Sequence, residues 1–278
     1  MEQRQLGSTT GLIPEVGVGV WRYGGGVEPL LAAIKLGATL IDTAEAYGTE
    51  KIVGEAIKGI REQVFVATKV SGSHLHHDEV LQAAETSLRR LDIAHIDLYQ
   101  IHWPNSLVPI TDTMRAMETL VDRGLVKYIG VSNFSAAELR AAQAAMSKYP
   151  IVSNQVLYNL NRRKIEAELL PYCQTNQITV IAYTPLDSGH LTKGSVSSSH
   201  PERMKVLEAV AQQTQKTLAQ VALNWCISRP GVIAIPKSDK TARVVENCGA
   251  SGWRLSSEQT ELLDKTFSAA SWDRLHST

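Results

Sequence analysis

The sequence is short of several things, and each shortage removes a class of protein. No run of apolar residues approaches the roughly 18 that a membrane-crossing helix needs, and Met1-Glu2-Gln3-Arg4-Gln5 lacks the apolar core of a secretory leader. Neither sign of charge is in excess: 28 Lys+Arg balance 28 Asp+Glu, for a net charge of +0. Nucleic acid and anionic membrane surfaces call for a basic face, so neither is an expected partner. Cysteine is scarce and odd in number. Cys173, Cys226 and Cys248 stand at no metal-ligand spacing, which favours a reducing compartment over a disulfide framework. Cys226 lies in an apolar helical run and reads as core. A soluble cytoplasmic protein with no obligate protein partner is the default expectation.

What is present is ordinary in bulk and ordered in detail. At 278 residues, 44% hydrophobic and 20% charged, the chain can bury one large core. No composition break marks a linker, so one domain over 1–278 is expected. Gly7-Ser8-Thr9-Thr10-Gly11 between two short runs predicts a hairpin over 4–13, placed to plug the bottom of a barrel. Strand and helix then alternate. Strands are predicted over 16–20, 39–42, 64–69, 96–101, 126–131, 151–155, 178–183 and 232–235. Helices are predicted over about 27–36, 50–58, 78–91, 111–123, 135–146, 163–175, 202–213, 218–228, 241–248 and 256–267, with 188–200 as a Ser/Gly-rich loop. Asp78 can cap the third helix, and Ser135 with Glu138 forms a capping box for the fifth. Acids of the third and fourth helices, Glu118 among them, read as solvated faces.

Eight strands each followed by helix force parallel pairing, the pattern of a (β/α)8 TIM barrel with an N-terminal β-hairpin and extra C-terminal helices. A doubly wound dinucleotide-binding sheet would need glycine at the sixth place of Gly17-Val18-Gly19-Val20-Trp21-Arg22, where Arg22 stands. In a barrel, chemistry is assembled from residues at or just past the C-terminal end of each strand. Those positions hold Asp42 and Tyr47, Lys69, His102, Ser132 and Asn133, Gln155, Tyr183, and Lys237 with Ser238.

The set Asp42, Tyr47, Lys69 and His102 resembles the catalytic tetrad of the aldo-keto reductases. Gly17-Val18-Gly19-Val20-Trp21, Val131-Ser132-Asn133-Phe134, Ala182-Tyr183-Thr184-Pro185-Leu186 and Ile235-Pro236-Lys237-Ser238 fall in matching order, over about residues 5–250. The resemblance implies reversible, NADPH-dependent reduction of aldehydes and ketones, with hydride leaving nicotinamide C4. Chemistry supports the same roles. A phenol with a pKa of about 10 is a sluggish acid near neutrality unless its anion is stabilised. A nearby ammonium lowers that pKa, and a buried carboxylate keeps the ammonium charged. Tyr47 is then the acid, Lys69 its tuner, Asp42 the counter-ion, and His102 the group that orients the carbonyl oxygen. Falling pH should favour reduction. The plainer readings are a strand-end lysine reaching solvent and a satisfied histidine in a Trp103-Pro104 turn.

The resemblance also implies the NADPH/NADP⁺ contacts. Ser132, Asn133 and Gln155 match residues bonded to the nicotinamide carboxamide, Tyr183 matches the one stacked on the ring, and Thr184 and Leu186 follow it along the cofactor. Lys237, Ser238 and Arg243 match a clamp on the 2′-phosphate, and Glu246 and Asn247 match adenine contacts. Trp21, Tyr23 and Trp103, with Leu186 or Phe134, are candidates to wall the site for a small-molecule carbonyl substrate. The segment after His102 is short and 31 residues follow Asn247, which predicts a shallow, open pocket of loose preference. His74-Leu75-His76-His77 is expected near the rim, with no metal site, since no acid or cysteine cluster accompanies it. Two other functions stay in view: a non-catalytic NADP-binding sensor or structural subunit, and a barrel hydrolase using Asp42 and Glu45.

Overall fold

A computed structural model of the protein describes residues 1–268. The chain opens with a hairpin, β1 (Gln3–Gln5) antiparallel to β2 (Leu12–Pro14). Eight parallel strands come next: β3 (Val18–Gly19), β4 (Leu40–Asp42), β5 (Phe65–Val70), β6 (Ile96–Ile101), β7 (Val126–Ser132), β8 (Ile151–Leu157), β9 (Thr179–Tyr183) and β10 (Val232–Ile235). They pair in chain order from β3 to β10. A parallel bridge between Val16 and Ala234 closes the ring, supported by Gly17 N–H to Ala234 O at 2.9 Å and Ala234 N–H to Glu15 O at 3.0 Å. The expected TIM barrel is the architecture observed. Its first strand is shorter than predicted, because only Val18 and Gly19 are in register with β4.

Period-two alternation sorts the barrel interior into layers. Leu40, Ala67, Leu98, Ile181 and Ile233 form an apolar floor, and Leu6 and Ile13 of the hairpin pack into the same cluster. The hairpin therefore plugs the bottom, as its position in the chain suggested. Two residues further along their strands, the same faces carry Asp42, Lys69, Gln100 and Tyr183. A polar layer resting on an apolar one is what gives the mouth its chemistry.

Helices α1 (Glu28–Lys35), α2 (Glu50–Ile57), α3 (His77–Leu91), α4 (Ile110–Asp122), α5 (Ala136–Ala145), α6 (Leu169–Thr175), α7 (Pro201–Thr214), α8 (Leu218–Ile227), α9 (Thr241–Cys248) and α10 (Ser257–Thr266) surround the barrel. The Ser135–Glu138 capping box of α5 is present. Asp78 is not the cap of α3: the helix begins one residue earlier, with His76 as cap and Glu79 reaching back to the His76 N–H at 3.1 Å. The predicted sixth helix begins instead as a 3-10 turn over Lys164–Ala167, broken from α6 at Glu168. The 188–200 segment is largely taken up by two further 3-10 turns, Asp187–Thr192 and Ser195–Ser197. Among the described residues no helix is long and apolar enough to cross a membrane.

Glu118 overturns its reading as a solvated acid. It is 6% exposed, and its carboxylate accepts Ser147 N–H and Ser147 Oγ–H, each at 2.8 Å, and Lys148 N–H at 2.5 Å. The side chain thus caps the loop between α5 and β8. Burial pushes its pKa up, but hydrogen bonds from Ser147, Lys148 and Tyr149 outweigh that and hold it below the ordinary glutamate value. A depressed native pKa adds stability above the unfolded value of about 4.5, lost as pH falls through the native one. Glu118→Gln should cost about 2 kcal/mol at neutral pH, since it removes a charged acceptor from several donors. Chemical denaturation at pH 7 and pH 3 should show the difference between variant and wild type shrinking at the acid end.

Candidate active site

Asp42 ends β4, and the chain turns through Thr43 and Ala44 into a 3-10 turn over Glu45–Tyr47. Gly48, at φ +69°, lets the chain reverse before α2. This carries Tyr47 back over the barrel mouth. Lys69 rises from β5 and is 0% exposed, with Asp42 at 2%. Its Nζ donates to Asp42 Oδ2 at 2.7 Å and to Thr43 O at 2.8 Å. Lysine reaching solvent is therefore not what happens here. Burial pulls the Lys69 pKa below the ordinary lysine value, with Asp42 opposing.

The phenol of Tyr47 lies 3.4 Å from His102 Nε2, with the two rings edge to face at 5.3 Å. Lys69 Nζ sits over the Tyr47 ring, 4.9 Å from its centroid. The four side chains, from the ends of three strands, meet at the barrel mouth. The expected acidification of the phenol is not found. Burial first, then the Asp42 charge, raises the Tyr47 pKa well above the ordinary tyrosine value, because the ammonium is engaged by Asp42 and Thr43. Burial, then the Lys69 charge, pushes His102 down to about 4. At neutral pH the mouth therefore holds a neutral phenol against a neutral imidazole.

A feature missed in the sequence lies beneath. Asp42 Oδ1 accepts Gln155 Nε2 at 2.7 Å and Gln100 Nε2 at 3.2 Å. Gln100 is fully buried, and it lies on the β6 face shared by Leu98 and His102. A glutamine amid Ile96-Asp97-Leu98-Tyr99-Gln100-Ile101 was the available signal. Gln155, expected on a nicotinamide carboxamide, has its amide nitrogen on Asp42, and its side-chain oxygen is the atom left to face a coenzyme. Asn133, at φ +63°, donates to His102 O and Ser132 Oγ, each at 3.1 Å, and accepts from Tyr183 OH at 2.9 Å. Ser132 Oγ–H reaches Gln155 O at 2.9 Å. Ser132, Asn133, Gln155 and Tyr183 thus form one connected wall.

The remaining candidates divide. Thr184 has φ +51°, costly for a β-branched residue and more so before Pro185; its carbonyl is held by Asn159 Nδ2 at 2.9 Å. Leu186 packs partly buried against the core. Lys237 is exposed and paired with Asp239, while Ser238 Oγ accepts Lys240 N–H at 3.1 Å. Arg243 is exposed on the first turn of α9, and Asn247 is buried on its last. Glu246 O accepts Gln220 Nε2 at 3.0 Å. Trp21 and Trp103 are 51% and 52% exposed, so Trp21 is not core. Tyr23 is partly buried and turns its hydroxyl to Gly26 O at 2.8 Å. Phe134, at 2% exposed, is core rather than pocket wall. His74 Nδ1 meets Glu45 Oε1 at 2.7 Å, and Ser71 N–H meets Glu45 Oε2 at 2.8 Å. Glu45 is thereby committed away from Asp42.

Comparison with known proteins gives the family and the fold independently of these side chains. Residues 15–267 match the profile of the Aldo/keto reductase family. The chain is 40% identical over 268 residues to methylglyoxal reductase YeaE of Escherichia coli (strain K12), covering 92% of each. The thermostable aldo-keto reductase Tm1743, solved with the inhibitor epalrestat, superposes with a TM-score of 0.89 at 40% identity, covering 96% of this chain and 100% of that one. An aldo-keto reductase from Klebsiella pneumoniae, solved with NADPH, superposes with a TM-score of 0.85 at 35% identity, covering 96% of each. A parallel barrel, a buried lysine–aspartate pair beneath a phenol and an imidazole, and a match along nearly the whole chain lead to one conclusion: the protein belongs to the aldo-keto reductase family.

Proposed function

We propose that the protein reduces aldehydes and ketones to alcohols with NADPH, and that Tyr47 gives the proton. The observation that carries this reading is the convergence of Asp42, Lys69, Tyr47 and His102 at one barrel mouth. Bound NADPH supplies the hydride, from C4 of its nicotinamide. The residues present fit such a group. Lys237 and Ser238 follow β10 and Arg243 stands on the first turn of α9, with both cations exposed, a donor set suited to a phosphate. Tyr183, partly buried in the wall, offers a flat face.

The chain's own groups do the rest. A neutral phenol is the form that can give up a proton, and the Lys69 ammonium against its ring offsets part of the charge left behind. The Tyr47 hydroxyl and His102 Nε2 together define where a carbonyl oxygen is held. The exposed rim tryptophans and the eight residues between β6 and α4 (102–109) support an open site of loose preference.

The test is loss of NADPH absorbance across a panel of carbonyls headed by small oxo-aldehydes such as methylglyoxal. Turnover on several members is expected. Tight NADPH binding with no turnover on any would favour a sensor or structural subunit instead. The pH profile adds a separate check. With Tyr47 and His102 both neutral, kcat for reduction should stay level from about pH 8 to about pH 5, and fall only as pH nears the His102 value of about 4. Lower pH still favours reduction at equilibrium, because a proton is consumed. An acid limb centred near 6.5 would contradict a desolvated His102.

A further inference from the structure

The group of cations at the end of β10 contains one acid. Asp239 forms an ion pair with Lys237, and its Oδ1 accepts the Gly24 N–H at 2.9 Å. The fit is close: a Cβ on Gly25 would come within 2.8 Å of Asp239 Cα and O. The Asp239 carboxylate is thus held in place by backbone, while remaining 42% exposed on its other side. Burial nudges its pKa up, but Lys237 and the Gly24 N–H outweigh this and keep it ionised below the ordinary aspartate value. Lys237 follows β10, Lys240 immediately precedes α9 and Arg243 stands on its first turn, while the Asp239 charge reaches the Tyr23 phenol of the glycine loop.

A fixed carboxylate among phosphate-binding cations works in two directions. It repels a 2′-phosphate, which carries close to two negative charges at neutral pH, and it partly neutralises Lys237. It also offers acceptors to a ribose whose 2′ and 3′ hydroxyls are free, the way dinucleotide sites choose the coenzyme that lacks the phosphate. We propose that Asp239 is a coenzyme-specificity residue that lowers discrimination against NADH, so that the protein binds NADH as well as NADPH. This rests on the reading of Lys237, Ser238 and Arg243 as the 2′-phosphate clamp.

The experiment measures dissociation constants of NADPH and NADH by quenching of protein fluorescence, without turnover. Wild type, Asp239→Asn and Lys237→Met are compared at low and at high salt. Asparagine keeps an acceptor for Gly24 and removes only the charge, and thermal melts verify that each variant is folded. Asp239→Asn should bind NADPH about three- to tenfold more tightly and gain nothing for NADH, an effect of the size expected for one exposed charge. That gain should shrink at high salt. Lys237→Met should weaken NADPH by about tenfold and NADH far less. If Lys237→Met weakens NADPH as stated but Asp239→Asn leaves the NADPH-to-NADH ratio within about twofold of wild type, the role given to Asp239 is wrong and the clamp stands. If Lys237→Met leaves NADPH binding unchanged, the clamp itself is misplaced and the proposal falls with it.

Discussion

Lys69→Met should destabilise the fold by about 3–5 kcal/mol and abolish carbonyl reduction together. Lys69 and Asp42 are both almost completely buried, and each is the other's charged partner at 2.7 Å. Deleting the ammonium strands a carboxylate with only the Gln100 and Gln155 amides to hold it. The double variant Lys69→Met/Asp42→Asn replaces both ions with neutral groups of similar size, so most of the lost stability should return. Activity should not return, because nothing then offsets the charge that forms on Tyr47. Denaturant midpoints and kcat/KM, measured on the two single variants and the double, separate the pair's part in folding from its part in chemistry. A single Lys69→Met variant as stable as wild type would show that the Asp42 charge finds another partner.

The second large effect is expected at Tyr47. Tyr47→Phe keeps the ring that faces Lys69 Nζ and meets the His102 ring edge to face. It removes only the hydroxyl. Stability should therefore change little, while kcat/KM for any aldehyde should drop by about 10²–10⁴-fold, the usual worth of a positioned acid. His102 stands 3.4 Å from that hydroxyl and is neutral at pH 7. It can orient the carbonyl oxygen but lacks the charge to replace the phenol, so His102→Gln should cost less than Tyr47→Phe. Equal losses would point to the imidazole as the acid.

The strand pattern is legible because each barrel strand is a short apolar run closed by polar residues, and the intervening helices impose parallel pairing. The tetrad is legible for the same reason: Asp42, Lys69 and His102 each sit where a strand ends. Other features turn on which side chain reaches which partner. Glu118 looks like any acid on an amphipathic helix until the Ser147–Tyr149 loop folds over it. The Gln155 amide nitrogen meets Asp42 across the barrel, 113 residues away in sequence, a contact that no local pattern announces. The direction of the Tyr47 shift is also hidden. A lysine close to a phenol ordinarily lowers its pKa, but Asp42 and Thr43 O take the ammonium's hydrogen bonds and burial prevails.

The most direct measurement is a rapid-mixing single turnover that monitors NADPH absorbance, with wild-type and Tyr47→Phe proteins saturated with NADPH before an aldehyde is added. Both proteins should bind NADPH equally, wild type should oxidise it in one fast phase, and the variant should do so at least about a hundredfold more slowly. Matching rate constants in the two proteins would mean that the proton comes from elsewhere, and that the phenol at the barrel mouth is not the acid.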